Sequence, residues 1–154
     1  MTFRSVHHPG DVSRAWLAVQ AQARPVALAL LAVMTVGLAA ALQGQRILWP
    51  FVAGAAISYV VAAAVGQGRI LKTPAQVEVV GASAAVQSVW QAAQEPVPPE
   101  PGFVSSARLA HGELTVGIGD SVESFERRDW PDFDALVDAM REAEAVGRAL
   151  TALP

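Results

Sequence analysis

Pro25–Leu42 reads PVALALLAVMTVGLAAAL, and Ile47–Gly66 reads ILWPFVAGAAISYVVAAAVG. Neither stretch holds an Asp, Glu, Lys, Arg or His. As helices, runs of this length extend roughly 27–30 Å, the thickness of the hydrocarbon core of a bilayer. A spanning helix closes its own backbone hydrogen bonds, which is what lipid demands. Only Gln43-Gly44-Gln45-Arg46 separates the two runs, so the helices must return antiparallel, as a transmembrane hairpin. Two other readings compete with this one. A buried helical hairpin needs protein on all sides, and a chain of 154 residues is too short to supply it. A cleaved signal sequence would use Ala39-x-Ala41, but the apolar run before it is long for a signal and a second run comes at once after it.

Outward from the hairpin, charge divides the chain. Residues 1–72 carry six basic residues against Asp11 alone, a net +5, whereas residues 73–154 carry five arginines against thirteen acids, a net −8. The basic half is the membrane half. The acidic half should be soluble and repelled by anionic lipid and nucleic acid, so no nucleic-acid partner is expected. Arg4, Arg14 and Arg24 precede the first run, Arg69 and Lys72 follow the second, and only Arg46 lies in the loop. The positive-inside rule then puts both termini in the cytoplasm, in a multi-pass protein of the inner (plasma) membrane. Trp49, beside the loop, and Trp16, before the first run, are expected to anchor at the lipid–water interface.

The absence of cysteine excludes disulfides and thiolate chemistry. The absence of ionisable groups in the spans removes proton relays, ion-binding carboxylates and the usual axial haem ligands. No cofactor is expected. Gly54, Ser58, Ala62 and Gly66 recur every four residues on the second run, with Gly37 and Ala41 on the first. Small residues at this spacing let another backbone approach closely, either the other helix of the hairpin or a neighbouring subunit.

The flanks are read from periodicity and turn signals. Met1–Gly10 has no regular pattern. Asp11–Arg24 puts Val12, Ala15, Trp16, Val19 and Ala23 on one helical face, with Asp11 as cap. It is either an interfacial helix or an extension of the first span through Pro25. Beyond the hairpin, Gln76–Val80 predicts a strand, and Ser83–Gln94 fits a helix better than a strand, with the strand left open by the valines of SAAVQSV. Pro96–Gly102 predicts a stiff connector. Phe103–Ala110 and Glu113–Gly119 predict a β-hairpin around His111-Gly112, and Ser121–Arg128 a further strand. Asp129 is expected to cap a last helix with Pro131 near its start and an apolar face of Phe133, Leu136, Val137, Met140 and Ala143. The sequence thus divides into an N-terminal cytoplasmic or interfacial segment over 1–24, the hairpin over 25–66 (spans 25–42 and 47–66), and a small acidic α+β cytoplasmic domain over 67–154.

Chemical motifs are sparse. Gly81-Ala82-Ser83-Ala84-Ala85 comes after a strand and precedes the expected helix, the context of a hydrolase nucleophile elbow. Its base could only be His111, oriented by Asp120 or Glu113. His7-His8 could offer two metal ligands, but no third lies near. Asp134, Asp138 and Glu142 share a helix face but are too few for a calcium site, which takes about 6–8 oxygens. The layout resembles small bacterial membrane proteins that carry a hairpin followed by a cytoplasmic PH-like domain, in which a C-terminal helix closes a sheet. Phe103–Gly119 followed by Asp129–Leu150 carries that resemblance, and the helix expected at Ser83–Gln94 departs from it. The expected function is a non-enzymatic accessory, assembly or scaffolding subunit of a larger bacterial membrane complex, with other membrane subunits and the bilayer as partners. The alternatives are a membrane-anchored PH-like or ligand-sensing module acting alone and, behind it, a small serine hydrolase.

Overall fold

The computed structural model describes residues 1–44, 48–93 and 100–152, with backbone alone for residues 48–50. The Pro96–Gly102 connector and Arg46 of the loop fall largely outside these residues. The chain forms two compact units, Val12–Lys72 and a second made of Met1–Asp11 with Thr73–Pro154.

The first unit is a pair of helices, α1 (Arg14–Leu42) and α2 (Leu48–Lys72). Both are long and apolar enough to cross a membrane. In their most apolar windows only 6% and 11% of the residues are buried within the chain, whereas the core helix of a soluble protein would be mostly buried. Ser13, not Asp11, begins α1, its Oγ accepting from the Trp16 amide at 3.4 Å. The helix then runs unbroken through Pro25, so no separate interfacial helix precedes the span. Proline removes one backbone bond, but the Ala, Leu, Gln and Arg on both sides favour helix strongly enough to carry the chain past it.

The second unit is α+β. Strands β1 (Thr2–Arg4), β2 (Pro74–Val80), β3 (Ser83–Ser88), β4 (Gly102–Ala110), β5 (Glu113–Ile118) and β6 (Ser121–Glu126) form one antiparallel sheet in chain order. Met1–Gly10 is thus not irregular. Thr2, Phe3 and Arg4 pair with Glu78, Val77 and Gln76, and the Ser5 amide donates to the Ala75 carbonyl at 2.8 Å. Three residues are too few for periodicity to reveal. Phe3, buried against the sheet, supplies the attachment.

The expected helix at Ser83–Gln94 is also corrected. Gly81, at φ +59°, opens a two-residue turn that folds Ser83 back onto Val80, and Val86 pairs with Val77. Only a single helical turn, α3 (Val89–Ala92), survives, capped reciprocally by Ser88 and Gln91. Alanine's helix preference is worth a few tenths of a kcal/mol per residue. It yields to a full ladder of strand pairs with Ala84 and Ala85 buried. The β4–β5 hairpin turns at His111 and Gly112, both at positive φ, as a two-residue primed turn requires.

Strands β3 and β4 share only the pairs Ser83–Phe103 and Ala84–Gly102, so two three-stranded parts of the sheet are joined by a short ladder. Helix α4 (Phe133–Thr151) packs along β4 and also touches β2 and β3. Its Phe133, Leu136, Val137, Met140 and Ala143 are all buried with Val77, Leu114, Val116 and Phe125. Asp129 does not cap α4. It ends a 3₁₀ turn, Arg127–Asp129, its carbonyl accepts from the Val6 amide at 2.8 Å, and Asp132 occupies the N-cap. Trp130 leaves that turn to pack edge-on against Phe125, ring centroids 5.4 Å apart.

Glu123 is the misfit of this core. On β6 it pairs with Val116 and alternates to the same side as Phe125, half-buried at the edge of the sheet. Burial pushes its carboxyl above the ordinary value of 4.5, so folding favours the neutral acid. The stabilisation is complete below that ordinary value and is lost as pH rises through the elevated one. Glu123→Gln should therefore raise the unfolding midpoint near neutral pH, and this gain should vanish below about pH 4.5. Thermal unfolding of both chains across that range checks it.

Candidate interaction surface of the hairpin

The four small residues of α2 divide into two pairs. Ala62 and Gly66 are buried against α1. A Cβ placed on Gly66 would stand 2.6 Å from the Ala21 carbonyl oxygen, so here the two backbones meet. Gly54 and Ser58 lie elsewhere. With Val33, Val36, Gly37 and Ala40 of α1 they line an apolar groove of about 290 Å³, and a Cβ on Gly54 would meet nothing within 4 Å. Phe51 stands at the groove with its ring against Gly37, where any side chain would collide with it.

The strip is therefore a helix–helix contact over Ala62 and Gly66 and an open groove over Gly54 and Ser58. Gly37 is buried under the Phe51 ring beside the groove, whereas Ala41 is exposed. The part played by Phe51 was invisible in the spacing, because an aromatic residue in an apolar run carries no signal of where its ring points. Trp16, at the start of α1, is more than half exposed; the Trp49 side chain lies outside the described residues.

In the α+β unit the residues with chemical potential are kept apart. Ser83 begins an antiparallel strand instead of a strand-to-helix elbow. Phe103, its partner on β4, accepts from the Gly119 amide, next to Asp120. His111 and Glu113 lie at the opposite end of β5, roughly 20 Å away by the rise of a strand. No Ser83–His111–Asp120 or Ser83–His111–Glu113 relay can form. His7 lies 3.4 Å from Asp129, and the His8 Nδ1 accepts from the Gly10 amide. Asp134, Asp138 and Glu142 project from α4 into solvent, with Asp134 paired to Arg127. The Arg127 guanidinium also lies 5.3 Å from the centre of the Phe133 ring. Among the described residues no three His, Cys, Asp or Glu are grouped so as to hold a metal ion.

Comparison of the chain with protein-family models, curated proteins and solved structures finds no match.

Proposed function

We propose that this chain is a non-enzymatic accessory or scaffolding subunit of a larger bacterial membrane complex, held in the inner membrane by its helical hairpin. The observation that carries the proposal is the hairpin's own surface. Two apolar helices leave most of their faces uncovered by the chain, and between Gly37 and Gly54 they keep a groove with a small-residue floor. In lipid, association depends on close van der Waals contact, and small residues are what permit it. The acidic α+β unit adds a soluble face that favours a basic partner.

The sheet supports the topology. β1 precedes the hairpin and β2 comes after it, yet they are adjacent strands. Two flanks joined by backbone hydrogen bonds must share one side of a membrane, and the basic flanks make that side the cytoplasm. A reporter inserted after Gly44 should read periplasm, and one fused after Pro154 cytoplasm; the opposite pattern rejects the orientation.

Purification in gentle detergent tests the function. Co-purifying subunits in fixed ratio are the expected result, and a lone monomer or homodimer would count against the accessory role. That second outcome would favour a membrane-anchored PH-like or ligand-sensing module acting alone, a reading favoured by the antiparallel meander closed with a C-terminal helix.

A further inference from the structure

Pro25 has no amide hydrogen, so the Ala21 carbonyl four residues earlier lacks the donor that a helix interior supplies. Where packing shuts water out, a carbonyl without a partner is costly and must be covered by something that can meet it. The residue against it is Gly66 of α2. A Cβ there would lie 2.6 Å from the Ala21 oxygen, 3.1 Å from the Ala21 carbonyl carbon and 3.3 Å from the Gln22 Cα. Gly66 is buried, as is Ala62 one turn earlier, so the contact is closed by backbone and leaves no room for a side chain.

The two helices are spaced differently near the loop. There the Phe51 ring lies on Gly37, and Gly54 faces open space. The hairpin is thus closed backbone to backbone at one place and held apart by a ring at another, with the groove beside the ring.

We propose that Pro25 and Gly66 act as one conformational device, a pinned crossing. Pro25 frees the Ala21 carbonyl from its own helix, and Gly66 is glycine because only a residue without Cβ can close over that carbonyl. Glycine Cα–H groups meeting carbonyl oxygens are a recurring contact where helices cross closely. With the crossing pinned there and Phe51 seated on Gly37, the two helices hold a close spacing at Gly66 and a wider one at the groove. The device does not depend on the accessory role, since it concerns contacts within one hairpin.

A double-mutant cycle on the full chain in mild detergent tests the coupling, read as the midpoint for thermal loss of helical signal. Gly66→Ala should lower the midpoint by several degrees in the parent chain. In a Pro25→Ala background, where residue 25 again donates to Ala21, the same substitution should cost less than half as much. Equal losses in the two backgrounds would mean that Gly66 is a steric spacer unrelated to Pro25, and no loss in either would mean that the crossing is not closed; both overturn the proposal. Should Gly66→Ala fail to accumulate in membranes, the double variant decides. Recovery of its level supports the coupling, and a level as low as that of the single variant overturns it.

Discussion

Phe125→Ala should bring the α+β unit close to unfolding at physiological temperature. Phe125 is fully buried on β6, opposite Leu114 and at right angles to Trp130. Truncating a buried phenylalanine costs about 3–5 kcal/mol, part of it the transfer of the ring and part the cavity left behind. Losing the edge-on pair with Trp130 adds about 0.5–1.5 kcal/mol. A unit of this size has about 5–15 kcal/mol in total, so a large share is removed at once. The midpoint should fall by roughly 15–50 °C, taking about 4–8 °C per kcal/mol for a small domain. Thermal loss of sheet signal in the full chain measures it, with Leu109→Ala as the comparison. Leu109 lies at the end of β4 and is 40% exposed, so its truncation should cost much less. Equal midpoints for the two variants would mean that the core is not centred on Phe125.

The second large effect is expected in the hairpin. Ala62 is 7% exposed at the α1–α2 contact. Leucine there stays fully compatible with insertion but must force the helices apart, an overpacking cost of about 1–3 kcal/mol. Ala62→Leu should therefore lower the amount of protein in the membrane. Gly54→Leu, two turns away on the same strip, should act differently, because a Cβ there would meet nothing within 4 Å and the longer side chain would fill the groove instead of forcing the helices apart. It should leave abundance unchanged and, if the proposed role holds, release the chain from its partner subunits. Quantitative blotting of membranes, combined with co-purification, separates the two outcomes. Loss of abundance from Gly54→Leu would mean that the groove belongs to the hairpin's own packing. Unchanged association for both variants would leave the strip facing lipid and remove the basis of the proposed role.

Parts of this fold were legible because their signal is local. The β4–β5 hairpin announces itself through His111-Gly112 and the alternation Leu114, Val116, Ile118. The apolar face of α4 arises from a 3.6-residue period, and every large residue assigned to it from Phe133 to Met140 is buried. The failures share the opposite cause. Ser83–Ser88 contains alanine and glutamine at helical spacing, and it becomes a strand because β2 is beside it and Gly81 turns it back. The Ser83 elbow fell with that helix. Asp129 looked like a helix cap because an aspartate preceded Pro131, yet its carbonyl is engaged by Val6, far away in sequence.

By itself the sequence determined the two long apolar helices, their antiparallel return, the charge asymmetry between the two halves of the chain and the α+β character of the C-terminal half. Each of these depends on residues within a few turns of one another, where hydrophobic period and turn chemistry dominate. The tertiary structure alone decided three things. It placed Thr2–Arg4 beside β2, so that one sheet is built from both flanks of the hairpin. It split the small-residue strip into a contact at Gly66 and a groove at Gly54. It also set the Ala21 carbonyl, freed by Pro25, against a glycine in the other helix. These contacts join segments far apart in the chain, and their energies arise only once two backbones meet. No local pattern of side chains could have encoded that meeting in readable form.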